Sequence, residues 1–393
     1  MALRFLPMAL VVLLAQTAWV KNPEPVIKPT EFWDAFGVGD NALLYEDGIY
    51  RMWYTGGGFD LGDTVIRIRI GHAVSFDGLT WYKYGPVLQN GGPGDWDEGG
   101  VETATVIHDA AGYHMWFDGY GSTGFPPIAF GYAFSDDGIN WTKYPGNPVM
   151  TQGGPGEPDN YFMDSPTVLH EGDTFRMWYG GADSSTMMGI CYAWSTDGIT
   201  WTKYPGNPVL SPSQAWCSWA VATPSVKRFG SLYEMWYAGW SHWPDSIAIG
   251  YASSPDGVSW TPWPGNPVLT LSAGSWDSLG VAAPDVLLTD KYEMWYTGSF
   301  VNWIGYASSP IGIVEDTLIP PHELSCPGFF GPWLSVSAPG AAEICLFDPA
   351  GRLIFTQEGD AVSWATAGLS GGVYFVLARW DDEVKSAKTL RIR

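Results

Sequence analysis

Asp40, Glu102 and Asp164 read as one position of a unit that the chain writes five times. The copies align on Pro166, Pro224 and Pro284, with Ala42 and Ala104 in the same column. Two places earlier stand Asp40, Glu102, Asp164, Ala222 and Ala282. A carboxylate required by the unit's own fold would stand in every copy, so its loss to alanine in two of them points away from a structural role. Carboxylates gathered around one opening repel each other and shed water, which raises some of their pKa values. A carboxyl that keeps its proton near neutral pH is a general acid, and an ionised neighbour can activate water or attack carbon. Cleavage of a glycosidic bond uses such a pair. The same groups could instead hold a cation, structural calcium being the natural candidate, or be solvated surface. No other cofactor is expected.

The unit that must position them is clearest from Asp164 to Tyr204. It holds four short apolar runs, with turns at Glu171-Gly172-Asp173, Gly180-Gly181 and Ser195-Thr196-Asp197-Gly198. Runs of β-branched and aromatic residues bounded by Gly and Asp read as strands. The second-strand tryptophans Trp53, Trp116, Trp178, Trp236 and Trp295 recur at spacings of 63, 62, 58 and 59 residues. The turn and fourth strand recur through Asp77-Gly78 with Trp81, Asp137-Gly138 with Trp141, Asp197-Gly198 with Trp201 and Asp256-Gly257 with Trp260. Four antiparallel strands per repeat at this period predict an all-β fold, a five-bladed β-propeller. The blades are expected at 31–88, 95–149, 159–210, 215–269 and 276–315. The fifth copy lacks the Asp-Gly turn after Ser309-Pro310, and a ring must hide its edges. Pro25-Val26-Ile27 is therefore expected to complete the last blade or seal its junction with the first.

Composition sets the bounds. The 393-residue chain is 16% aromatic and only 15% charged, with a formal charge of −22. That charge repels phosphate backbones, so nucleic acid is excluded as a partner. Residues 1–20 read as a signal peptide, with Arg4 as the basic region and Met8–Ala15 as the apolar core. The propeller is assigned to 21–316, a linker to 317–323, and a C-terminal β-sandwich of immunoglobulin-like type to 324–393. Cys326 and Cys345 both fall in that last segment and could pair in an oxidising compartment. The chain is expected to be a monomer.

Two resemblances follow from these motifs. Phe347-Asp348-Pro349-Ala350-Gly351-Arg352, Leu369-Ser370-Gly371-Gly372-Val373-Tyr374-Phe375 and the closing basic strand through Lys388 and Arg391 resemble the C-terminal sorting domain of bacterial type IX secretion cargo. That resemblance implies a secretion machinery as partner and delivery to the medium or cell surface. The alternative is a plain accessory sandwich. The propeller resembles the five-bladed propeller glycosidases, namely glycoside hydrolase families 43 and 32 and the mannoside phosphorylases. It implies a glycan or oligosaccharide substrate, with one acid on each of the first three blades. By position Asp40 would be base or nucleophile, Glu102 the pKa-tuning acid and Asp164 the proton donor. The family order is Asp then Glu in the second and third places, whereas here it is Glu102 then Asp164, so either could be the donor. Asp40 is followed by Asn41 rather than proline, and the Trp-Met-Asn-Asp-Pro signature of fructosidases is absent.

Asp118 breaks a column that otherwise holds Thr55, Gly180, Ala238 and Thr297, and it is a candidate to line the mouth. Trp240, His242, Trp243, Phe300 and Trp303 follow second strands and could stack on sugar rings, or pack between blades. The recurring Trp-Asp pairs at Trp33, Trp96 and Trp276 read as structural because they repeat. The alternative to a hydrolase is a non-catalytic carbohydrate- or protein-binding propeller at the cell surface.

Overall fold

The computed structural model describes residues 19–60, 65–123, 127–183, 188–241, 247–298, 302–310, 325–326, 329–330, 333–338, 341, 343–348, 351–370, 372–379 and 384–391. Contacts divide the chain into two compact units. One takes Met1–Leu44, Met52–His72 and Gly85–Ile313; the other takes Tyr45–Arg51, Ala73–Tyr84 and Val314–Arg393. The expected 317–323 linker lies outside the described residues. Regular structure among the described residues is strand, apart from two single-turn 3-10 helices, Phe32–Asp34 and Ala215–Cys217.

In the first unit each repeat builds antiparallel strands in chain order, as β-propellers do. The third repeat runs Phe162–Glu171, Thr174–Ala182, Gly189–Ser195 and Thr202–Lys203. The fourth runs Ala220–Phe229, Leu232–Trp240, Ile247–Ser254 and Thr261–Pro262. The first two repeats join in one nine-stranded sheet through a bridge between Ile68 and Gly100. The second strands do not alternate in burial. Met177, Trp178 and Tyr179 are all buried to 0% exposure, as are Met52, Trp53 and Tyr54. A strand covered on both faces reads as a continuous apolar run, which is why these positions are Met-Trp-Tyr rather than a polar/apolar alternation.

The Asp-Gly turns fasten neighbouring repeats. Trp53 Nε1 donates to the Gly138 carbonyl at 2.8 Å, Trp116 to Gly198 at 2.8 Å and Trp178 to Gly257 at 2.6 Å. The turns are longer than a two-residue hairpin. Asp197 Oδ1 accepts the N–H groups of Ile199 and Thr200 at 2.8 and 2.7 Å, and Gly198 takes φ 71°. Those residues belong to the turn, so the fourth strand shrinks from the expected Ile199–Tyr204 to Thr202–Lys203.

The N-terminal segment completes the fifth repeat, but through Val20–Lys21 more than through the expected Pro25-Val26-Ile27. Val20–Lys21 pairs with Trp303–Pro310, and Ile27 adds a bridge to Ile304. Lys21 lies opposite Ala307, as Lys143 lies opposite Ala133 and Lys203 opposite Ala193. The borrowed strand thus carries the lysine that a fourth strand carries elsewhere. Residues 1–18 of the expected signal peptide lie outside the described residues. Trp19 packs into the core with Tyr292 and Trp236, so a boundary at 20 would cut into the fold and one after Ala18 would not.

In the second compact unit, Trp333–Ser337 pairs with Ala361–Ala365. A five-stranded sheet runs Phe329–Phe330, Val384–Arg391, Gly372–Arg379, Glu343–Phe347, Leu353–Gln357. Leu334, Val336, Val362 and Trp364 of the pair share one core with Ile344, Leu346, Tyr374 and Val376 of the sheet. On the sheet's other face, Cys345, Phe347, Phe375 and Leu377 pack with Ile49, Val74 and Phe76. The pairing of Cys326 with Cys345 is not found, since neither is in a disulfide. Successive strand residues point to opposite faces. Cys345 therefore faces Phe76, while Cys326 packs against the opposite core.

Candidate active site

The inner strand of each repeat begins with the same irregularity. Pairing breaks between Glu102 and Thr105, Asp164 and Thr167, Ala222 and Ser225, and Ala282 and Asp285. At each break one residue has positive φ: Thr103 at 46°, Ser165 at 53°, Thr223 at 47° and Ala283 at 45°. In the first repeat that residue is Asp40, at 48°. This corrects the column read from sequence. Asp40 matches Thr103 and Ser165, and the true counterpart of Glu102 and Asp164 is Gly39. Asp tolerates this left-handed region better than most residues, which lets the first acid sit one place later on the chain.

The turns surround one opening. It is lined by Asp40 and Asn41, Thr103 and Ala104, Ser165 and Pro166, Thr223 and Pro224, and Ala283 and Pro284, one pair from each repeat. Asp40 lines it directly, and Glu102 and Asp164 each adjoin a lining residue. All three acids are half-buried. Burial raises Asp40 to about 6. Burial, then the charges of Asp40 and Asp164, raise Glu102 to about 8. Burial, then Asp40, raise Asp164 to about 7, partly opposed by a hydrogen bond from Ser165. Among the described residues no cation contributes to any of the three shifts. The protons of such a set belong to the cluster rather than to single residues. Among the described residues no three His, Cys, Asp or Glu side chains are grouped to hold a metal ion.

The other candidates fall elsewhere. Asp118 is fully buried, and its Oδ2 accepts the Ser165 N–H at 3.0 Å. It does not line the opening as expected: it pairs across from Glu102 and lies buried behind the lining, next to Asp164. Trp303 stacks on Trp276 at 6.5 Å and lies under Lys28 at 5.2 Å, while Trp240 is half-buried at a strand end; neither lines the opening. His242, Trp243 and Phe300 lie outside the described residues. The Trp-Asp pairs are structural. Trp33 packs so closely over Gly56 that a Cβ there would collide with its ring; Asp34 accepts the Thr30 and Glu31 N–H groups, Asp277 pairs with Lys21 at 2.5 Å and Asp97 with Lys143, and Asp159, at the same place after Pro158, pairs with Lys203 at 2.6 Å.

Two features escaped the sequence reading. Beneath the opening lies a channel of about 760 Å³ lined by Leu44, Ile107, Leu169 and Leu287, with Lys227 in the fifth place. Lys227 is paired there with Asp285 at 2.8 Å. A lysine in an otherwise aliphatic column was the available signal. Second, Phe36, Tyr161, Trp219 and Leu279 each stand three residues before Gly39, Asp164, Ala222 and Ala282. They are 55, 52, 49 and 56% exposed, and Gly99 takes the place in the second repeat.

Known proteins resemble this chain in sequence and fold. Residues 39–206, which hold all three acids, match the N-terminal domain of glycosyl hydrolases family 32. An uncharacterized protein of Mycobacterium tuberculosis is 25% identical over 254 residues, 61% of this chain and 80% of that one. The insoluble-isoenzyme beta-fructofuranosidase of Arabidopsis thaliana is 28% identical over 199 residues, 49% of this chain and 35% of that one. A solved structure described as a glycoside hydrolase superposes with a TM-score of 0.63 at 20% identity, covering 80% of this chain and 98% of that one. At that identity the likeness speaks for the fold. The fold defined is that of a β-propeller, similar to those of solved glycosidases. Within it, the first three repeats of this chain carry the family 32 likeness.

Proposed function

We propose that the chain is an exported glycoside hydrolase whose reaction is carried by Asp40, Glu102 and Asp164. One observation carries the reading. Three unpaired carboxyls act on one another around an opening to which all five repeats contribute, and their pKa values are spread from about 6 to about 8. At neutral pH the lowest, Asp40, is the ionised member and serves as base or nucleophile. The proton that remains is shared between Glu102 and Asp164, and it is the one given to the leaving oxygen. Asp164 matches the donor of the resembled families by place, and Glu102 holds its proton more tightly. The substrate is a glycan, and the exposed Phe36, Tyr161 and Trp219 offer faces on which sugar rings stack.

In this reading the five repeats are five blades of one propeller, and the two C-terminal sheets form an immunoglobulin-like sandwich. That sandwich addresses the protein to the secretion machinery and so to the medium or cell surface. The test is a panel of arabinan, xylan, fructan and mannan, with released sugar and binding measured side by side. Cleavage of one glycan by the wild type is expected. Binding without cleavage would make the carboxylates acceptors for sugar hydroxyls in a lectin-like propeller.

A further inference from the structure

The acid-bearing turns share a device. In each, the backbone N–H of the positive-φ residue is taken by a side chain from the second strand of the preceding repeat. Asp40 donates to Thr297 Oγ1 at 3.0 Å, Thr103 to Thr55 Oγ1 at 2.9 Å and Ser165 to Asp118 Oδ2 at 3.0 Å. The column that supplies these acceptors reads Thr55, Asp118, Gly180, Ala238 and Thr297. Gly180 and Ala238 have nothing to accept with, and they face the repeats whose turns carry Ala222 and Ala282. The Ala283 N–H is held differently, by Thr223 Oγ1 at 3.2 Å. Gly180 also has a reason to stay small, since a Cβ there would collide with Asp164 Oδ1.

A positive φ on a residue other than glycine is uncommon and needs to be held in place. The second-strand acceptors sit where the acids are and are missing where the acids are missing, where Thr223 of the neighbouring turn takes the Ala283 N–H instead. We propose that Thr297, Thr55 and Asp118 are positioning residues that fix Asp40, Glu102 and Asp164 at the opening, each set in the repeat before the acid it fixes. This rests on the glycosidase reading of the three acids. Asp118 does with a carboxyl what threonine does at the other two junctions. Burial, then the charge of Asp164, raises the Asp118 pKa, and its Oδ2 accepts the Ser165 N–H as the threonine hydroxyls accept at the other two junctions.

The test compares Asp118→Ala with Asp118→Thr. Both remove the carboxyl, but threonine can still accept the Ser165 N–H. Asp118→Ala is expected to lower kcat by about 10- to 100-fold with little change in KM, as misplacement of a catalytic group does. Asp118→Thr should bring kcat back to within about threefold of wild type. Thr55→Val and Thr297→Val should each repeat the kcat loss, which keeps the idea testable if Asp118→Ala does not fold. Thr105→Val removes another inter-repeat bond, from the Val168 N–H at 3.3 Å, away from the acids and should leave kcat unchanged. Full activity in Asp118→Ala, or equal losses in the alanine and threonine variants, would overturn the proposal. If the wild type cleaves no glycan, the glycosidase reading has failed and carboxyl titration by carbon-13 NMR decides alone. The groups facing Asp164 are Asp40, Glu102, Asp118 and the Ser165 hydroxyl. With the turn loosened, Asp164 gains water and its pKa should fall from about 7 in Asp118→Ala but hold in Asp118→Thr. No fall in Asp118→Ala would refute the role.

Discussion

The propeller contains two sets of buried or half-buried carboxylates that differ in the partners they meet. Asp97, Asp159 and Asp277 are more deeply buried, at 2, 0 and 1% exposure, yet each meets a lysine. Asp40, Glu102 and Asp164 are less buried, and among the described residues they face one another, Asp118 and the Ser165 hydroxyl rather than a lysine or arginine. The first set ties a strand entrance to a fourth or borrowed strand in three repeats; at the same place Asp34 accepts the Thr30 and Glu31 N–H groups in the first repeat, and Cys217 stands in the fourth. The second is absent from two repeats that fold equally well. Desolvation alone therefore does not make a carboxyl reactive. The missing counter-ion does, because it leaves proton uptake as the way to relieve the cost.

The sharpest break in this comparison is Asp40→Asn. Turnover should fall by a factor of about 10² or more, with glycan binding and melting temperature nearly kept. Kinetics and calorimetry on the same preparation check it. The converse change, Asp159→Asn, should cost about 2–4 kcal/mol of stability, because it strands Lys203 and weakens the acceptor for the Tyr179 hydroxyl at 2.9 Å. Denaturant titration measures the loss, and kcat at a temperature where the variant is folded should barely move.

pH separates the two sets more gently. Activity should rise through about 6 as Asp40 ionises and fall between about 7 and 8 as Glu102 and Asp164 lose their proton. Stability follows the same groups. Their folded pKa values lie above the unfolded ones, so their contribution is fully present below about pH 4 and is lost as pH rises through 6 to 8. The melting temperature should drop by several degrees between pH 5.5 and 8.5, and by less in Asp40→Asn. The smallest expected effect is at the rim. Trp219→Ala should raise KM by about threefold and leave kcat alone, since stacking on a half-exposed ring adds about 1 kcal/mol.

Much of this was legible in sequence because the repeat compares the chain with itself. Tryptophan spacing announced the strands, and alanine at 222 and 282 marked the acids as dispensable to the fold. The slip at Asp40 has a plain cause. The first repeat has Asn41 where others have Ala104, Pro166, Pro224 and Pro284, so Ala42 was taken for a column to which it does not belong. Only backbone angles reveal the bulge that sets the register. Asp118 was visible as an oddity, but which way it points depends on the pleat at that bulge. Lys227 went unnoticed because its column becomes a channel wall only once five strands face one axis.

The fifth repeat's borrowed strand has a consequence for how the chain assembles. Val20 pairs with Ser308 and Lys21 with Ala307, so nearly the whole propeller separates the two sides of the closing seam. Such a contact is among the last to form, and it cannot form on a nascent chain until the fifth repeat has emerged. Until then Trp303–Pro310 is an open edge that accepts the same segment from any copy. At high concentration a slow-closing chain should therefore exchange its first strand with a neighbour and yield dimers with a native seam.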